Sequence, residues 1–214
     1  IIKPESDNVY VAGLDLGIKH DHSGVVVLGV NIQQRKIRLA TFKGFTPYKG
    51  EVDLTEVMST VKHLHDVFHL RWVGYDPWQA KLMAQMLTKK RVPMQEVSFS
   101  STKNLEMMAN NLLDVLKNDI LEGYDENDRL LTDLGKLNIL EKRYGLKLDS
   151  VSDSTGHADV ATALVIALLR AVPMLGGLTF SSDDSLDWND DRPLQEAELN
   201  ALPDEFKELM DMDF

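Results

Sequence analysis

The chain has 214 residues, of which 43% are hydrophobic and 27% are charged, a composition typical of a globular protein with one sizeable core. It contains no cysteine, which excludes disulfide bonds and thiolate metal sites. The formal net charge of -11 is concentrated in residues 181–214, which hold 12 acidic and 2 basic side chains. The residues before them hold 22 acidic and 21 basic side chains, so a local basic face toward nucleic acid is compatible with the composition.

The first part of the chain predicts a meander of three strands followed by a helix. Residues 9–16 and 24–30 are rich in β-branched side chains, and residues 36–42 alternate between polar and apolar side chains. Apolar side chains then recur at helical spacing over residues 53–69. We therefore expect a meander of three consecutive strands followed by one amphipathic helix.

The middle of the chain alternates strands with helices. A fourth strand is expected over residues 72–76 and a helix over residues 79–87. A fifth strand over residues 94–99 precedes a helix that begins with the capping signals of residues 101–106 and ends near Leu121. This order predicts an α/β sheet of mixed strand direction, although local patterning does not fix the order of the strands.

The last elements are less regular. After an acidic loop at residues 123–128, we expect a helix over residues 130–144 and a short strand over residues 145–149. The apolar stretch over residues 160–175 contains Arg170 and a proline, which favours a buried helix over a membrane span.

The C-terminal residues differ from the rest in composition. Gly176 and Gly177 follow the last apolar pattern, so we expect a folded domain over residues 1–177 and an acidic, flexible tail over residues 178–214. Within the tail, residues 196–210 have a weak amphipathic helical pattern. The sequence has no basic-then-apolar signal segment.

Three aspartates break otherwise apolar or helical patterns. Asp15 interrupts the first strand, Asp76 ends the fourth strand before a proline, and Asp159 lies in the first turn of the last helix. Aspartate is disfavoured in strands and costly to bury without a partner. Each residue has a simpler explanation when taken alone, which is turn formation for the first two and the helix macrodipole for the third.

Taken together, the three positions indicate a metal site. The carboxyl ends of strands line the ligand crevice of an open α/β sheet, and Asp15 and Asp76 would meet there if their strands are neighbours. Converging carboxylates repel one another unless cations lie between them. Oxygen ligands suit Mg²⁺ or Mn²⁺, and two such ions can activate a water and stabilise a leaving oxygen in phosphodiester cleavage.

These motifs resemble, in order and spacing, the nuclease domain of the large terminase subunit of tailed bacteriophages. The resemblance covers roughly residues 8–172 and rests on three segments: Gly-Leu-Asp15-Leu-Gly with the following Asp21-His-Ser, Gly-Tyr-Asp76-Pro-Trp, and His-Ala-Asp159-Val-Ala-Thr-Ala. It implies a ribonuclease H-like fold, in which a mixed sheet of order 3-2-1-4-5 with antiparallel first strands is flanked by helices. It also implies a catalytic, metal-binding role for the three aspartates, with two Mg²⁺ or Mn²⁺ ions, in cutting concatemeric viral double-stranded DNA during genome packaging.

The family also implies partners. Large terminase subunits carry an N-terminal packaging ATPase, whereas this sequence has no Gly-x-x-x-x-Gly-Lys-Ser/Thr loop and matches the nuclease half alone. We expect double-stranded DNA and the ATPase domain of the same polypeptide as partners, with the acidic tail engaging the portal or the small terminase subunit. No membrane is expected, and the implied location is the host cell cytoplasm.

Further candidate residues are of second rank. Asp21 and Asp153 could assist the site, with loop capping as the simpler role for Asp21. His157 stands where an acidic residue often precedes the third aspartate of the family; it could support metal or substrate, with a solvated histidine at a helix start as the simpler role. The cations expected to contact DNA phosphates are Lys19, Lys89, Lys90, Arg91, Lys136, Lys142, Arg143 and Lys147. Taken singly, each of them is more often a solvated surface charge.

Other functions are compatible with parts of the pattern. A Holliday-junction resolvase or a transposase-type nuclease shares the carboxylates but prefers branched or end-specific DNA. An actin-like or sugar-kinase ATPase shares the first three strands, yet its second Asp-x-Gly phosphate motif and its Gly-rich adenosine motif are missing from the sequence. A catalytically inert interaction module with a docking tail is the alternative from a different class.

Overall fold

The computed structural model describes residues 3–17, 22–48, 51–99, 101–123, 129–142, 145–150 and 158–176. The strands within these residues are β1 (Val9–Asp15), β2 (Ser23–Asn31), β3 (Lys36–Phe45), β4 (Val73–Tyr75), β5 (Met94–Glu96), β6 (Leu121–Glu122), β7 (Leu137–Lys142) and β8 (Gly145–Ser150). The helices are α1 (Leu54–Phe68), α2 (Pro77–Lys89), α3 (Thr102–Lys117), α4 (Arg129–Leu134) and α5 (Asp159–Leu175).

Six of the strands form one mixed sheet in the order β5-β4-β1-β2-β3-β6. The first three strands are antiparallel neighbours, while β4 is parallel to β1 and β5 is parallel to β4. The predicted α/β class and the order 3-2-1-4-5 are therefore confirmed. The edge strand β6 was not predicted, because α3 ends at Lys117 rather than near Leu121 and Asp119 turns the chain with a φ of 51°.

The sheet separates two hydrophobic cores. Along β1, Tyr10, Ala12 and Leu14 face the core shared with α1 and α2, whereas Val11 belongs to the core shared with α5. Helix α5 is apolar on nearly every side because it lies between the sheet and the helices α3 and α4. It packs directly on the backbone of β1, since a Cβ on Gly13 would lie 2.7 Å from the backbone nitrogen of Ala167.

The predicted helix over residues 130–144 is wrong. Helix α4 ends at Leu134 and is followed by an antiparallel hairpin in which Leu137 of β7 pairs with Ser150 of β8. Gly135 weakens the helix at that point, and Leu137 and Leu148 pack against the α5 core. Packing of an alternating pattern thus outweighs helix propensity, and the predicted short strand over residues 145–149 is confirmed as β8.

Side-chain caps define the starts of two helices. The Asp53 carboxylate accepts a hydrogen bond of 3.0 Å from the backbone N–H of Glu56 at α1, and the Ser101 hydroxyl accepts one of 3.3 Å from Asn104 at α3. No helix in the described ranges has the length and hydropathy needed to cross a membrane. The predicted tail over residues 178–214 lies outside the described residues.

Candidate active site at one edge of the sheet

The strand register brings Asp15 and Asp76 to the same edge of the sheet. Asp15 is the last residue of β1, and the preceding Leu14 pairs with Tyr75 of the parallel strand β4. Asp76 follows Tyr75 directly and so continues the register beside Asp15. Neighbouring strands lie about 4.8 Å apart, a separation at which two carboxylates can share a cation.

Both aspartates belong to the face of the sheet that α5 covers. Gly13 faces the α5 backbone, and Asp15 shares that face because side chains alternate along a strand. Gly74 also faces α5, since a Cβ there would lie 2.7 Å from the Cγ2 of Ile166. Strand periodicity then places Asp76, two residues further along, on the same face.

The start of α5 brings Asp159 to this edge. Asp159 is the first residue of the helix and is 3% exposed. A Cβ on Gly24 would lie 2.6 Å from the carbonyl oxygen of Asp159, and Gly24 is the register partner of Asp15. The backbone of Asp159 therefore lies against Gly24, which is beside Asp15 on β2. Asp76 lies on the opposite side of Asp15, at the end of β4.

Buried Ser23 closes the connection that follows Asp15. Its hydroxyl accepts a hydrogen bond of 3.1 Å from the Gly17 N–H and donates one of 3.0 Å to the Gly17 carbonyl. The Gly17 N–H also donates to the carbonyl of His22 at 3.1 Å. These bonds hold the end of β1 against the start of β2, which fixes the backbone that carries Asp15.

A fourth carboxylate, Asp133 of α4, lies at the N-terminus of α5. Its Oδ2 accepts a hydrogen bond of 3.1 Å from the backbone N–H of Val160. Lys136 Nζ lies 3.7 Å from Oδ1, and Arg129 Nε lies 3.9 Å from Oδ2. The sequence pattern offers one signal for Asp133, which is an acidic residue inside the apolar segment 130–134, where an unpaired charge would be costly.

The structure places one predicted group of DNA-contacting cations far from the aspartates. Lys89, Lys90 and Arg91 lie at and beyond the end of α2, which begins just after Asp76. A helix of 13 residues is about 20 Å long, so these cations lie toward the opposite edge of the sheet. They do not surround the carboxylates as expected, because the helix carries the chain away from them.

The remaining predicted cations are distributed differently. Lys136 lies near the start of α5 but is buried beside Asp133, so it balances a buried carboxylate instead of facing solvent. Lys147 lies on β8 and is partly buried. Five predicted site residues lie outside the described residues, and so does the side chain of a sixth, Lys142. The five are Lys19, Asp21, Arg143, Asp153 and His157.

The chemistry of the three aspartates fits a hard divalent cation. Within the part of the chain that the structure describes, no three His, Cys, Asp or Glu side chains lie close enough to constitute a formed metal cluster. The donors at neighbouring backbone positions are nevertheless all carboxylates, which repel one another unless a cation lies between them. Mg²⁺ prefers such oxygen ligands and completes its shell with waters.

No protein-family model and no curated protein matches the chain. Among solved structures, the HK97 bacteriophage large terminase is similar with a TM-score of 0.65 and 15% identity, over 78% of this chain and 40% of that chain. The large terminase nuclease from thermophilic phage G20c with bound magnesium gives a TM-score of 0.61 and 17% identity, over 79% and 85% of the two chains. The P22 large terminase nuclease domain gives a TM-score of 0.55 and 12% identity, over 82% of this chain and 90% of that chain. The chain therefore has the fold of phage large terminase nuclease domains, which is ribonuclease H-like.

Proposed function

We propose that this chain is a metal-dependent endonuclease that cuts concatemeric viral double-stranded DNA during genome packaging, as the nuclease part of a large terminase subunit. We base this on one observation. Asp15 ends β1, Asp76 directly follows the adjacent parallel strand β4, and the start of α5 lies against the strand on the other side of Asp15. The fold shared with phage large terminases supports the same assignment.

Asp15, Asp76 and Asp159 would hold two Mg²⁺ or Mn²⁺ ions. Ions of this kind supply an activated water and stabilise the charge on the leaving oxygen. The G20c nuclease has been solved with magnesium, cobalt and zinc, which supports a divalent-cation site in this fold. Burial of Asp159 strengthens the field of its carboxylate, because less water is present to screen it.

The substrate would approach from the side of Asp15 and Asp76. These two residues are partly exposed, whereas Asp159 is buried. Arg129, whose side chain is one-third exposed near the start of α5, is a further candidate for a phosphate contact. The packaging ATPase domain is a proposed partner, and the portal or the small terminase subunit is proposed to bind the tail.

A plasmid assay tests the proposed chemistry. We expect the purified chain to nick and then linearise supercoiled DNA in Mn²⁺, and excess EDTA to slow this reaction by at least about 100-fold, which corresponds to about 2.7 kcal/mol of barrier. Adding Mn²⁺ beyond the chelator should restore the rate, which excludes irreversible damage. A folded protein that neither binds Mn²⁺ nor cleaves DNA with any divalent cation would contradict the assignment.

The choice of substrate separates the proposed role from related nucleases. A packaging nuclease should cut linear duplexes of unrelated sequence at similar rates. A marked preference for a four-way junction over a duplex of equal length would instead support a resolvase, while leaving the metal-dependent nuclease chemistry intact.

A further inference from the structure

Helix α5 begins without a cap of its own. Ala158 occupies the N-cap position and provides no side-chain hydrogen bond, although the first N–H groups of a helix have no partner within the helix. The acceptor comes from a distant part of the chain, because Asp133, 27 residues before Val160, accepts the Val160 N–H. Val160 directly follows Asp159, so this bond holds the residue next to the proposed metal ligand.

Asp133 is built into the interior. Its side chain is almost fully buried, and an isolated buried carboxylate is strongly unfavourable. Lys136, also buried, and the partly exposed Arg129 provide the balancing charges within 4 Å. A helix N-terminus favours a negative charge, which adds to the stability of this arrangement.

The same group of residues is anchored to the sheet beside the aspartates. Gly44 of β3 pairs with Gly24 of β2, which in turn pairs with Asp15 of β1. The start of α5 lies over Gly24, and the Arg129 guanidinium lies over Gly44, 3.0 Å from where a Cβ would be. The contact of Arg129 with Gly44 therefore connects α4 to the same row of strand residues that carries Asp15.

We propose that Asp133 is a positioning residue that holds Asp159 in place for metal binding. It acts through its hydrogen bond to Val160 N–H, with Arg129 and Lys136 balancing its charge. Successive helix residues are rotated by about 100°, so rewinding the first turn by one residue would rotate the Asp159 carboxylate about the helix axis by that angle. This inference rests on the proposed function.

The test compares Asp133→Ala with Asp133→Asn, which keeps an oxygen acceptor for Val160. Changes to residues that orient metal ligands typically cost 10- to 100-fold in affinity. We expect Asp133→Ala to raise the Mn²⁺ concentration for half-maximal nicking by at least about 10-fold, and Asp133→Asn to stay within about threefold of wild type. Mn²⁺ binding without DNA, followed by electron paramagnetic resonance, should weaken in the same order.

Asn111→Ala is the matched control. Asn111 of α3 donates to the carbonyl of Leu168, near the middle of α5, so the variant loses one contact with the same helix away from its first turn. It should lower stability and leave the Mn²⁺ requirement unchanged. An equal shift in Asn111→Ala, or none in a folded Asp133→Ala, would overturn the positioning role.

Hydrogen exchange decides the matter if Asp133→Ala does not fold. Because coupling between two sites is reciprocal, Mg²⁺ should slow exchange of the Val160 amide in the wild-type protein but not that of Val61 in α1. Unchanged Val160 exchange in a protein that binds Mg²⁺ would overturn the positioning role of Asp133 and leave the proposed function standing. A wild-type protein that binds no Mn²⁺ or Mg²⁺ would overturn the proposed function and this role with it.

Discussion

Replacing Asp15, Asp76 or Asp159 singly with Asn should reduce Mn²⁺-dependent plasmid nicking by at least about 1,000-fold, which corresponds to about 4 kcal/mol of transition-state stabilisation. Each change removes one negative charge and keeps the size of the side chain, so metal binding is lost while packing is preserved. Initial nicking rates measured in saturating Mn²⁺ check this expectation, and thermal unfolding shows that each variant still folds.

The control is Asp66→Asn on α1. Asp66 is exposed, pairs with Lys62, and lies on the helix that covers the other face of the sheet. This variant should retain the wild-type rate within about twofold, since an exposed ion pair contributes little. Full activity in any one of the three test variants would remove that residue from the metal site, and comparable losses in Asp66→Asn would point to a non-specific charge effect.

Replacing Gly13 with Ala should destabilise the protein by about 3 kcal/mol or more, because overpacking of a close contact commonly costs 1–3 kcal/mol even where side chains can move. Here the neighbours are backbone atoms of Ala163 and Ala167, which can yield only if α5 separates from β1. The free energy of unfolding, measured by urea denaturation, provides the test.

Gly135→Ala serves as the matched glycine control. A Cβ at Gly135 would lie 3.4 Å from the carbonyl oxygen of Thr132, an ordinary van der Waals distance. The change should alter stability by no more than about 0.5 kcal/mol. A Gly13→Ala variant that unfolds at the wild-type urea concentration would mean that α5 does not pack on β1 as described.

Local pattern was sufficient for the elements that obey a single period. The strands at 9–16 and 24–30 and the helix at 53–69 follow from alternation and helical spacing, and the structure has them within one residue at each end. The order of the strands did not follow from pattern, since pairing between distant segments is not encoded in either period. It came from the family resemblance.

The candidate site was predictable only in part, for a related reason. Asp15 and Asp159 are noticeable because each violates a local preference, in a strand and in an apolar helix. Asp133 was not recognised as a candidate from the sequence. Residues 130–144 were expected to form a long amphipathic helix, and an acidic residue is ordinary on such a helix. The structure shows instead that α4 is six residues long and buried against α5, where a carboxylate needs a partner.

The glycines under α5 have a consequence for how the site responds to heat. Gly13 of β1 and Gly24 of β2 bring the backbones of both strands into direct contact with α5, so no side chain lies between the strands and the helix at these two points. At these contacts, no flexible side chain can rotate to let the strands and the helix, and with them the two carboxylates, move apart gradually. We therefore expect nicking by the wild-type protein, in which Asp133 also holds the first turn of α5, to persist up to temperatures close to the melting point of the domain.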